Sequence, residues 1–599
     1  RRIGRRCRRG QRSRVTPAGR SGSEHSRLHA PSPRWMEPEA PSASAVELLE
    51  KELRLPAAVC AVLAARGYVD PEQAKRHLRP KWEHLSDPAQ LADGVRAASR
   101  IAQAVRDGER IFVHGDYDVD GVCATALLTR WLRIVGGDVV PFVPHRVRDG
   151  YDFSASGLAA AIAADARLIV TVDCGTVAHE TVASANEAGL EVIVTDHHTV
   201  SKTLPDAYAV VNPHRPDCPY PEKGLCGTGL AFRVAELVAV QLGVDVEPLF
   251  GLLDLVALAT VADLVPLDGE NRVLVHSGLK TFRKTQVAGI RALSKVAKVE
   301  IDQINAGHLG FQLAPRINAA GRIGDSADAL EMLLVENEKE ATRMAQQLDE
   351  TNLERREEGQ RMFEEALLDL ESWYDPAVHK GVVVAGAGWH PGVIGIVASR
   401  VVERVYRPVV VVALGDELAR GSARSISGFH LYEALSDCSE HLERFGGHKQ
   451  AAGMDLLPEA LPVFRDAFNR AASARLGDPN PCPVLRPDIE IDLAQIDVQL
   501  VRWLGYLGPH GMGNPGPLFV AKHVYVTGAR TVGTNHLKAT LRAGGGMLEA
   551  IGFGLSDRHA PESIGDRAYD VLFRLETNEW RGRVTAQAKL IDLRPSASV

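Results

Sequence analysis

One stretch decides the fold: Ile111-Phe112-Val113-His114-Gly115-Asp116-Tyr117-Asp118-Val119-Asp120-Gly121. It begins as a short apolar strand, continues as an acidic turn and leads into a helix predicted over Val122 to Val135. Three similar motifs follow, each beside a predicted strand end: Val172-Asp173-Cys174-Gly175, Thr195-Asp196-His197-His198 and Val261-Ala262-Asp263. Ligands collect at the carboxyl ends of strands in an open α/β sheet, so we expect the four motifs to meet in one pocket.

The chemistry of the four motifs points to metal-assisted hydrolysis. Carboxylates and imidazoles gathered in one pocket form a strongly anionic site that needs cations. Oxygen ligands mixed with imidazole suit Mn²⁺ and also tolerate Mg²⁺. A pair of such ions activates water and stabilises in-line attack on phosphorus. The motifs therefore predict a metal-dependent phosphoesterase whose cofactors are two divalent ions, Mn²⁺ or Mg²⁺.

Length and composition set the broad class. A chain of 599 residues is too long for one core and suggests roughly three to five domains. Its hydrophobic content of 45% and charged content of 24% are ordinary for a globular protein. The longest apolar runs fall short of a spanning helix, so we expect no membrane insertion. The eight cysteines are scattered without a C-x-x-C pair, which argues against a structural zinc site and favours a reducing cytoplasm.

The net charge of -7 is not typical of a nucleic-acid-binding protein. Residues 1–35 hold eleven Arg and one acid, a net of +10, so the remainder carries -17 by subtraction. Nucleic-acid binding must therefore come from local basic patches and bound metal, not from the field of the whole molecule.

From Arg110 onward strands and helices alternate, which predicts an α/β domain with a parallel sheet covered by helices on both faces. Charged residues at helical spacing predict one long helix over 327–372. Short strands near the C-terminus favour a small β-barrel. The predicted segments are a disordered Arg-rich tail, 1–45, which is either a basic arm or a misplaced start; a helical region, 46–105; a catalytic domain, 106–290; a helical connector, 291–377; a second α/β domain, 378–478; and a barrel, 488–599.

The individual acids could have purely structural roles as well as functional ones. Asp118 and Asp120 could simply cap a helix, although three Asp and a His on one turn favour metal binding. Asp173 is the candidate for a carboxylate that bridges two ions. The adjacent His197 and His198 point in different directions on an extended segment, so one can bind metal while the other faces substrate. For the fourth motif, Asp254 and Asp263 are both candidates, and we favour Asp263.

These motifs resemble the DHH phosphoesterase superfamily, and within it the RecJ branch of single-strand-specific 5′ exonucleases. Further motifs support the resemblance over roughly residues 50–590. They include Val211-Asn212-Pro213, Gly227-Thr228-Gly229-Leu230-Ala231-Phe232, Pro315-Arg316-Ile317-Asn318-Ala319-Ala320-Gly321-Arg322, Trp389-His390-Pro391-Gly392-Val393-Ile394-Gly395, Arg420-Gly421-Ser422-Ala423-Arg424-Ser425 and Gly446-Gly447-His448. Thr176-Val177 departs from the family pattern and leaves the shape of the loop after Asp173 open.

The resemblance implies a DHH domain, a connecting helix, a DHH-associated domain and an OB-fold. It also implies a 5′-to-3′ exonuclease that acts on single-stranded DNA in repair and recombination. The implied metal ligands are His114, Asp118, Asp120, Asp173, His197 and Asp263, and Asp173, His198 and Asp116 are the implied catalytic residues.

The basic and Gly-rich motifs are candidates for binding the DNA phosphates. We expect Arg316, Asn318 and Arg322 to lie on a turn, and the second α/β domain to supply a clamp for a terminal 5′ phosphate from loops. The residues of that clamp are Ser422, Arg424, Gly447 and His448. Tyr525, Phe553 and Trp580 in the barrel could stack on bases or lie in the core.

We expect a monomer, with a helicase and a single-strand-binding protein as candidate partners. Two other functions are weighed against the exonuclease. A nanoRNA or cyclic-dinucleotide phosphodiesterase would share the chemistry but lack the barrel. A catalytically silent nucleic-acid-binding scaffold would be expected to have lost metal ligands.

Overall fold

The computed structural model describes residues 28, 30–146, 148–150 and 152–597. It divides into two compact units. The larger unit comprises Pro33–Gln360 and Pro483–Val599, and the smaller unit centres on Arg361–Cys482. Most of the Arg-rich tail predicted to be disordered lies outside the described residues. Its last part is structured, because Arg34–Trp35 forms a parallel strand pair with Val484–Leu485 and the Trp35 Nε1 donates to Asp592 at 2.8 Å.

A five-stranded parallel sheet forms the centre of the larger unit. Its strands are β1 (Arg110–His114), β2 (Asp138–Phe142), β3 (Leu168–Val172), β4 (Glu191–Thr195) and β5 (Ala209–Val211), in the order β2-β1-β3-β4-β5. Side chains alternate between the two faces, as the pleat requires. Ile111 and Val113 pack on one core while Phe112 packs on another, so helices cover both faces. The predicted doubly covered parallel sheet is confirmed.

Helices make up most of the rest of the larger unit. They are α1 (Ala43–Leu53), α2 (Ala57–Ala65), α3 (Pro71–Leu78), α4 (Gly94–Asp107), α5 (Val119–Ile134), α6 (Ala155–Ala163), α7 (His179–Glu187), α8 (Gly227–Leu242), α9 (Glu247–Phe250), α10 (Leu253–Ala262), α11 (Gly269–Phe282), α12 (Ala288–Val296), α13 (Ala306–His308), α14 (Ala314–Ile323) and α15 (Ser326–Leu334). The next helix, α16 (Glu338–Trp373), begins in the larger unit and ends in the smaller one. A π-helical turn, Leu309–Leu313, joins α13 to α14.

The helix predicted over 327–372 is in fact two helices, α15 and α16. Val335 leaves the helical conformation with ψ 140°. The Asn337 side chain then accepts hydrogen bonds from the amides of Lys339 and Glu340, at 3.0 and 3.2 Å, and so begins a new helix. An Asn at a helix start satisfies amides that have no partner within the helix, which explains the break.

The C-terminal part of the larger unit is a closed barrel. Its strands are β11 (Ile489–Glu490), β12 (Phe519–Val532), β13 (His536–Ala543), β14 (Gly546–Gly552), β15 (Ala568–Trp580) and β16 (Arg583–Pro595), and pairing of β12 with β15 closes it. One further helix, α20 (Val498–Leu504), lies beside it. The barrel was predicted, but its strands are longer than the predicted short ones. Its core also includes side chains from α1, α2 and α3.

The smaller unit has a mixed sheet of five strands: β6 (Val382–Ala387), β7 (Val409–Leu414), β8 (Ala419–Arg424), β9 (Arg444–Gly447) and β10 (Ala451–Leu456), in the order β9-β10-β8-β7-β6. Three helices, α17 (Ile394–Val405), α18 (Leu431–Ser436) and α19 (Leu461–Arg475), accompany the sheet. Only β6 and β7 are parallel to each other.

None of the helices in the described residues combines the length and the apolar character needed to cross a membrane. Seven of the eight cysteines lie in the described part of the chain; all seven are free thiols, and six are buried.

Candidate metal centre

The turn between β1 and α5 presents three carboxylates at the carboxyl edge of the sheet. Asp118 caps α5 by accepting hydrogen bonds from the amides of Asp120 and Gly121, at 2.9 and 3.2 Å. The helix-capping interpretation is thus correct for Asp118, but it does not exclude a second role. Gly121 is required here, because a Cβ at this position would lie 2.3 Å from the amide nitrogen of Asp116.

Asp120 is held by the N-terminus of α8. Its carboxylate accepts hydrogen bonds from the amides of Gly227 at 2.6 Å and Thr228 at 2.8 Å, while its carbonyl accepts from the Thr228 hydroxyl. The positive end of a helix stabilises a carboxylate at this position.

Asp173 follows β3 and is only 2% exposed. Its backbone has φ 63°, a left-handed conformation that costs about 1–3 kcal/mol in a residue other than Gly and is concentrated at functional sites. Gly227 packs directly against it, since a Cβ there would lie 2.5 Å from the Asp173 Cβ. The surroundings therefore force the Asp173 carboxylate into the cluster.

His197 lies at the centre of the acidic cluster. Its Nε2 is 3.1 Å from Asp173 Oδ1, 3.7 Å from Asp120 Oδ2 and 3.8 Å from Asp263 Oδ2. Despite this proximity the buried Nε2 has no hydrogen-bond partner among the described residues, and the same holds for Asp116 Oδ1 and Asp173 Oδ1. Buried polar atoms without partners are rare and call for an explanation such as an ion.

The ligand atoms fall into groups of the size that a metal ion requires. Asp116, Asp118 and Asp173 offer atoms within 4.8 Å of one another, and so do Asp120, His197 and Asp263. Asp173, His197 and His198 form a third such group that joins the other two. Carboxylate oxygens with one imidazole are suitable ligands for Mn²⁺ or Mg²⁺. The donor set of the three groups therefore fits a divalent metal of this kind.

The electrostatics of the cluster agree with this interpretation. Burial, together with the negative charges of Asp120, Asp118 and Asp116, holds the pKa of Asp173 well above its ordinary value. Burial and the charges of Asp120 and Asp118 raise the pKa of Asp263 to about 8. Carboxylates that repel one another in this way become fully ionised only when positive charge is supplied.

His198 is oriented by a neighbouring acid. Its Nδ1 hydrogen-bonds the Asp196 carboxylate at 2.7 Å, and its carbonyl accepts from the Asn212 side chain at 2.9 Å. Burial alone would lower the pKa of His198, but the bond to Asp196 outweighs it and raises the pKa to about 9. The imidazolium is therefore fixed at the edge of the site.

A cavity of about 310 Å³ opens above the cluster. Asn318, Gly321 and Arg322 of α14 line it together with Arg146 and His198. Asn318 accepts from the amide of Val119, and a Cβ on Gly321 would lie 2.3 Å from the carbonyl oxygen of Tyr117. The predicted turn is thus a helix that packs tightly on the acidic loop.

Arg316 does not line this cavity. Its Nε donates to Asp349 at 2.8 Å. Arg316 and Arg322 are six residues apart, which places them on different faces of α14, whereas Asn318 and Arg322 are four apart and share one. Arg322 thus lies at the cavity and Arg316 does not, and the prediction that both hold phosphates stays a prediction.

His114 is buried beside the cluster, and its predicted role as a metal ligand stays a prediction. The ring lies between Phe142 and Phe153, with centroid distances of 5.2 Å to each, and its Nδ1 faces Cys174 Sγ at 3.6 Å. His114 belongs to none of the three ligand groups, whereas Asp116 belongs to one, but the buried His114 Nε2 also has no hydrogen-bond partner among the described residues.

The fourth motif also differs from its prediction. Asp263 follows the C-terminus of α10, not a strand, and its carboxylate reaches the cluster from there. Asp254 is fully buried near the start of α10, where its carboxylate accepts a hydrogen bond from the Thr285 hydroxyl. The preference for Asp263 over Asp254 agrees with this geometry.

In the smaller unit, three of the four predicted clamp residues lie on strands instead of loops. Ser422 and Arg424 belong to β8, which pairs with β7 and β10 on its two sides, so its amides serve the sheet and not a ligand. The two side chains meet at the N-terminus of α17, where a Cβ on Gly395 would lie 2.8 Å from the Arg424 guanidinium. Gly447 ends β9 with φ 139°, and His448 follows in the turn.

Three residues beside these groups were not identified from the sequence: Asp196 and Arg146 at the acidic cluster and Gly395 beside Ser422 and Arg424. The position of Asp196 before two histidines signals an orienting carboxylate, since an imidazole commonly donates its second N–H to one. Gly395 stands four residues after Pro391 at the start of a helix, a common setting for anion binding. Arg146 lies beyond the predicted strand ends and has no comparable signal.

Comparison with known proteins agrees with the fold. Residues 110–260 match the DHH family, N-terminal domain; residues 379–474 match the DHHA1 domain; and residues 487–592 match the RecJ OB domain. Single-stranded-DNA-specific exonuclease RecJ of Bacillus subtilis (strain 168) is 36% identical over 563 residues, covering 93% of this chain and 70% of the relative. The RecJ of Escherichia coli (strain K12) is 36% identical over 577 residues, covering 92% and 98%.

Two solved structures have the same fold as this chain. RecJ from Thermus thermophilus in complex with Mn²⁺ superposes with a TM-score of 0.79 at 32% identity, over 94% of this chain and 80% of that one. The same protein in complex with Mg²⁺ gives a TM-score of 0.74 at 31% identity, over 94% and 79%. The predicted resemblance and the predicted four-part architecture are confirmed.

Proposed function

Since this chain belongs to the RecJ family and is a metal-dependent exonuclease, we propose that it degrades single-stranded DNA from the 5′ end and releases 5′-mononucleotides, in DNA repair and recombination. The observation that carries the proposal is the convergence of five carboxylates and two histidines at one sheet edge: Asp116, Asp118, Asp120, Asp173, Asp263, His197 and His198. The complete ligand set argues against a silent scaffold. The barrel argues against the small-substrate phosphodiesterase.

We assign the metal ligands from the groups described above. Asp116, Asp118 and Asp173 would hold one ion, and Asp120, His197 and Asp263 the other, with Asp173 shared. Bound Mn²⁺ or Mg²⁺ would polarise the scissile phosphate and make hydroxide available near neutral pH. The protein supplies the fixed geometry, because the α8 N-terminus holds Asp120 and the left-handed Asp173 is locked by Gly227.

Other residues would bind and orient the phosphate. His198, protonated and fixed by Asp196, would donate to a non-bridging phosphate oxygen. Arg322 and Asn318 line the same cavity and would contact the adjacent phosphate. These donors would neutralise charge on the substrate and align it for attack.

The preference for a 5′ end would come from the smaller unit. Ser422, Arg424 and the N-terminus of α17 bring a hydroxyl, a guanidinium and helix amides together at Gly395. This combination suits a terminal phosphate monoester, which carries more charge than an internal diester.

The barrel would guide the single strand. Trp580 is 70% exposed and Phe553 56%, while Tyr525 is 55% exposed, so none of the three belongs to the core. The Lys589 ammonium lies over the Phe553 ring at 5.4 Å, and the Arg581 guanidinium over Trp580 at 5.7 Å. Exposed rings beside cations are suited to base stacking and backbone contact.

Digestion of end-labelled DNA tests the proposal. With Mn²⁺, we expect labelled mononucleotide to appear at once from 5′-labelled single strands, late from 3′-labelled ones and hardly at all from blunt duplex. Asp173→Asn should abolish the release, and Asp566→Asn, which changes an exposed acid of the same unit, should not. Release confined to oligomers of a few nucleotides would contradict the proposal.

A further inference from the structure

A second cavity in the larger unit has the opposite electrostatic character to the metal centre. Its volume is about 650 Å³, and it is bounded by the end of α11, by α12 and by the segment after it. Five cationic side chains line it together with one acid: Arg283, Lys284, Arg291, Lys295, Lys298 and Glu300. In a chain with a net charge of -7, such a concentration of positive charge is a local feature.

Most of this charge is not neutralised by the protein. Arg291 pairs with Glu338 at 2.9 Å through its Nε. Among the described residues, Arg283, Lys284, Lys295 and Lys298 are exposed and take part in no ion pair. A neighbouring cavity of about 430 Å³ shares Arg291 and Lys295 and adds Lys339 together with Glu338, the acid that pairs with Arg291.

A buried hydroxyl also lies in the wall of the cavity. Ser294 of α12 is 2% exposed and lines the cavity, and its Oγ has no hydrogen-bond partner in the described part of the chain. A helical Ser normally bonds a carbonyl in the preceding turn. An orphaned buried hydroxyl among cations indicates a place for an oxygen-rich ligand.

The cavity is separate from the metal centre. Its wall includes Thr285, whose hydroxyl donates to Asp254 near the start of α10, while Asp263 follows the end of the same helix. Nine helical residues separate the two acids by about 14 Å along the axis.

We propose that this cavity is a second phosphate-binding site, which takes the phosphates of a nucleotide or of a nucleic-acid strand outside the metal centre. Its volume lies within the range of small-ligand pockets, roughly 300–1,000 Å³. Lysines act as point charges for phosphate, and Ser294 can donate to a phosphate oxygen. The buried side chains of Val299 and Thr285 close the inner wall.

Binding of a labelled oligothymidylate to the full chain in EDTA tests the proposal, because cleavage is then excluded and the acidic centre repels phosphate. The variant is Lys295→Gln with Lys298→Gln, and the matched control is Lys51→Gln with Lys81→Gln, which removes the same charge from exposed positions elsewhere in the unit. Each phosphate contact to a single strand contributes about 0.7 to the salt slope, so losing two should lower the slope by about 1.4 and the affinity at 0.1 M salt about 25-fold.

A parallel titration with thymidine monophosphate distinguishes the two sources of phosphate. Saturable nucleotide binding that the variant loses would identify a free nucleotide as the ligand. Loss of oligonucleotide affinity without nucleotide binding would identify the strand. If the variant and the control behave alike with both probes, the proposal is wrong. Exonuclease activity does not enter these readouts, so the proposed function stands or falls separately.

Discussion

Replacing Asp173 with Asn should uncouple the stability of the protein from divalent metal. Asp173 is 2% exposed, and burial and the neighbouring carboxylates hold its pKa well above the ordinary value. Asn keeps the size of the side chain and resembles the protonated carboxyl. The metal-free variant should therefore be at least as stable as the parent, which is the opposite of the usual effect of changing a buried residue.

The size of the expected difference follows from how much bound metal stabilises the folded state. A ligand at 100 times its dissociation constant stabilises the folded state by about 2.7 kcal/mol. If the loss of the shared carboxylate weakens binding about 100-fold, the same concentration stabilises the variant by only about 0.4 kcal/mol. The expected difference is thus about 2 kcal/mol in the metal-induced stabilisation.

Thermal unfolding with and without Mn²⁺ measures this difference. Asp566→Asn serves as the control, since it removes an exposed acid without touching the cluster. An Asp173→Asn variant that gains as much from Mn²⁺ as the parent would refute the reasoning. A metal-free variant that is several kcal/mol less stable than the parent would do the same.

Further predictions concern the surroundings of the site. Asp196→Asn should lower kcat about 10- to 100-fold, because Asp196 orients His198. The affinity for Mn²⁺, measured by calorimetry, should stay near that of the parent. An unchanged kcat would exclude the orienting role. Gly227→Ala places a Cβ 2.5 Å from that of Asp173 and should lower the free energy of unfolding in urea by about 1–3 kcal/mol. An unchanged free energy of unfolding would show that the backbone moves to relieve this contact. Arg424→Ala should raise KM for 5′-phosphorylated strands more than for 5′-hydroxyl strands, and equal effects would remove it from the clamp. In EDTA, the free energy of unfolding should fall as pH rises from about 4 to about 8. The reason is that Asp263 binds its proton more tightly in the folded state, with a pKa of about 8. A free energy of unfolding that rises over this range would contradict the place of Asp263 in the acidic cluster.

The sequence was sufficient for the sheet and for most of the site. Short apolar runs ending in acids predict parallel strands whose carboxyl edges meet, and Asp118, Asp120, Asp173 and His197 do meet there. This inference succeeds because it depends only on strand direction, which the alternation of strands and helices determines.

The features that the sequence did not predict depend on how individual side chains pack and on which face of a helix they lie. The motif contains both His114 and Asp116, and strand alternation cannot separate them because they are two residues apart; the packing of the His114 ring between Phe142 and Phe153 is seen only in the structure. Arg316 and Arg322 were assigned together to a turn, whereas α14 places them on different faces. Helical periodicity would have separated Arg316 from Arg322, whereas the packing around His114 has no comparable signal in the sequence.

The most direct test of the account is to locate the metal ions. Anomalous diffraction from crystals grown with Mn²⁺ should show two adjacent peaks, one beside Asp116 and Asp118, the other beside Asp120, His197 and Asp263, with Asp173 contacting both. A single peak, a peak beside His114 or a pair of ions that do not share Asp173 would contradict the two-ion site on which the proposed chemistry rests.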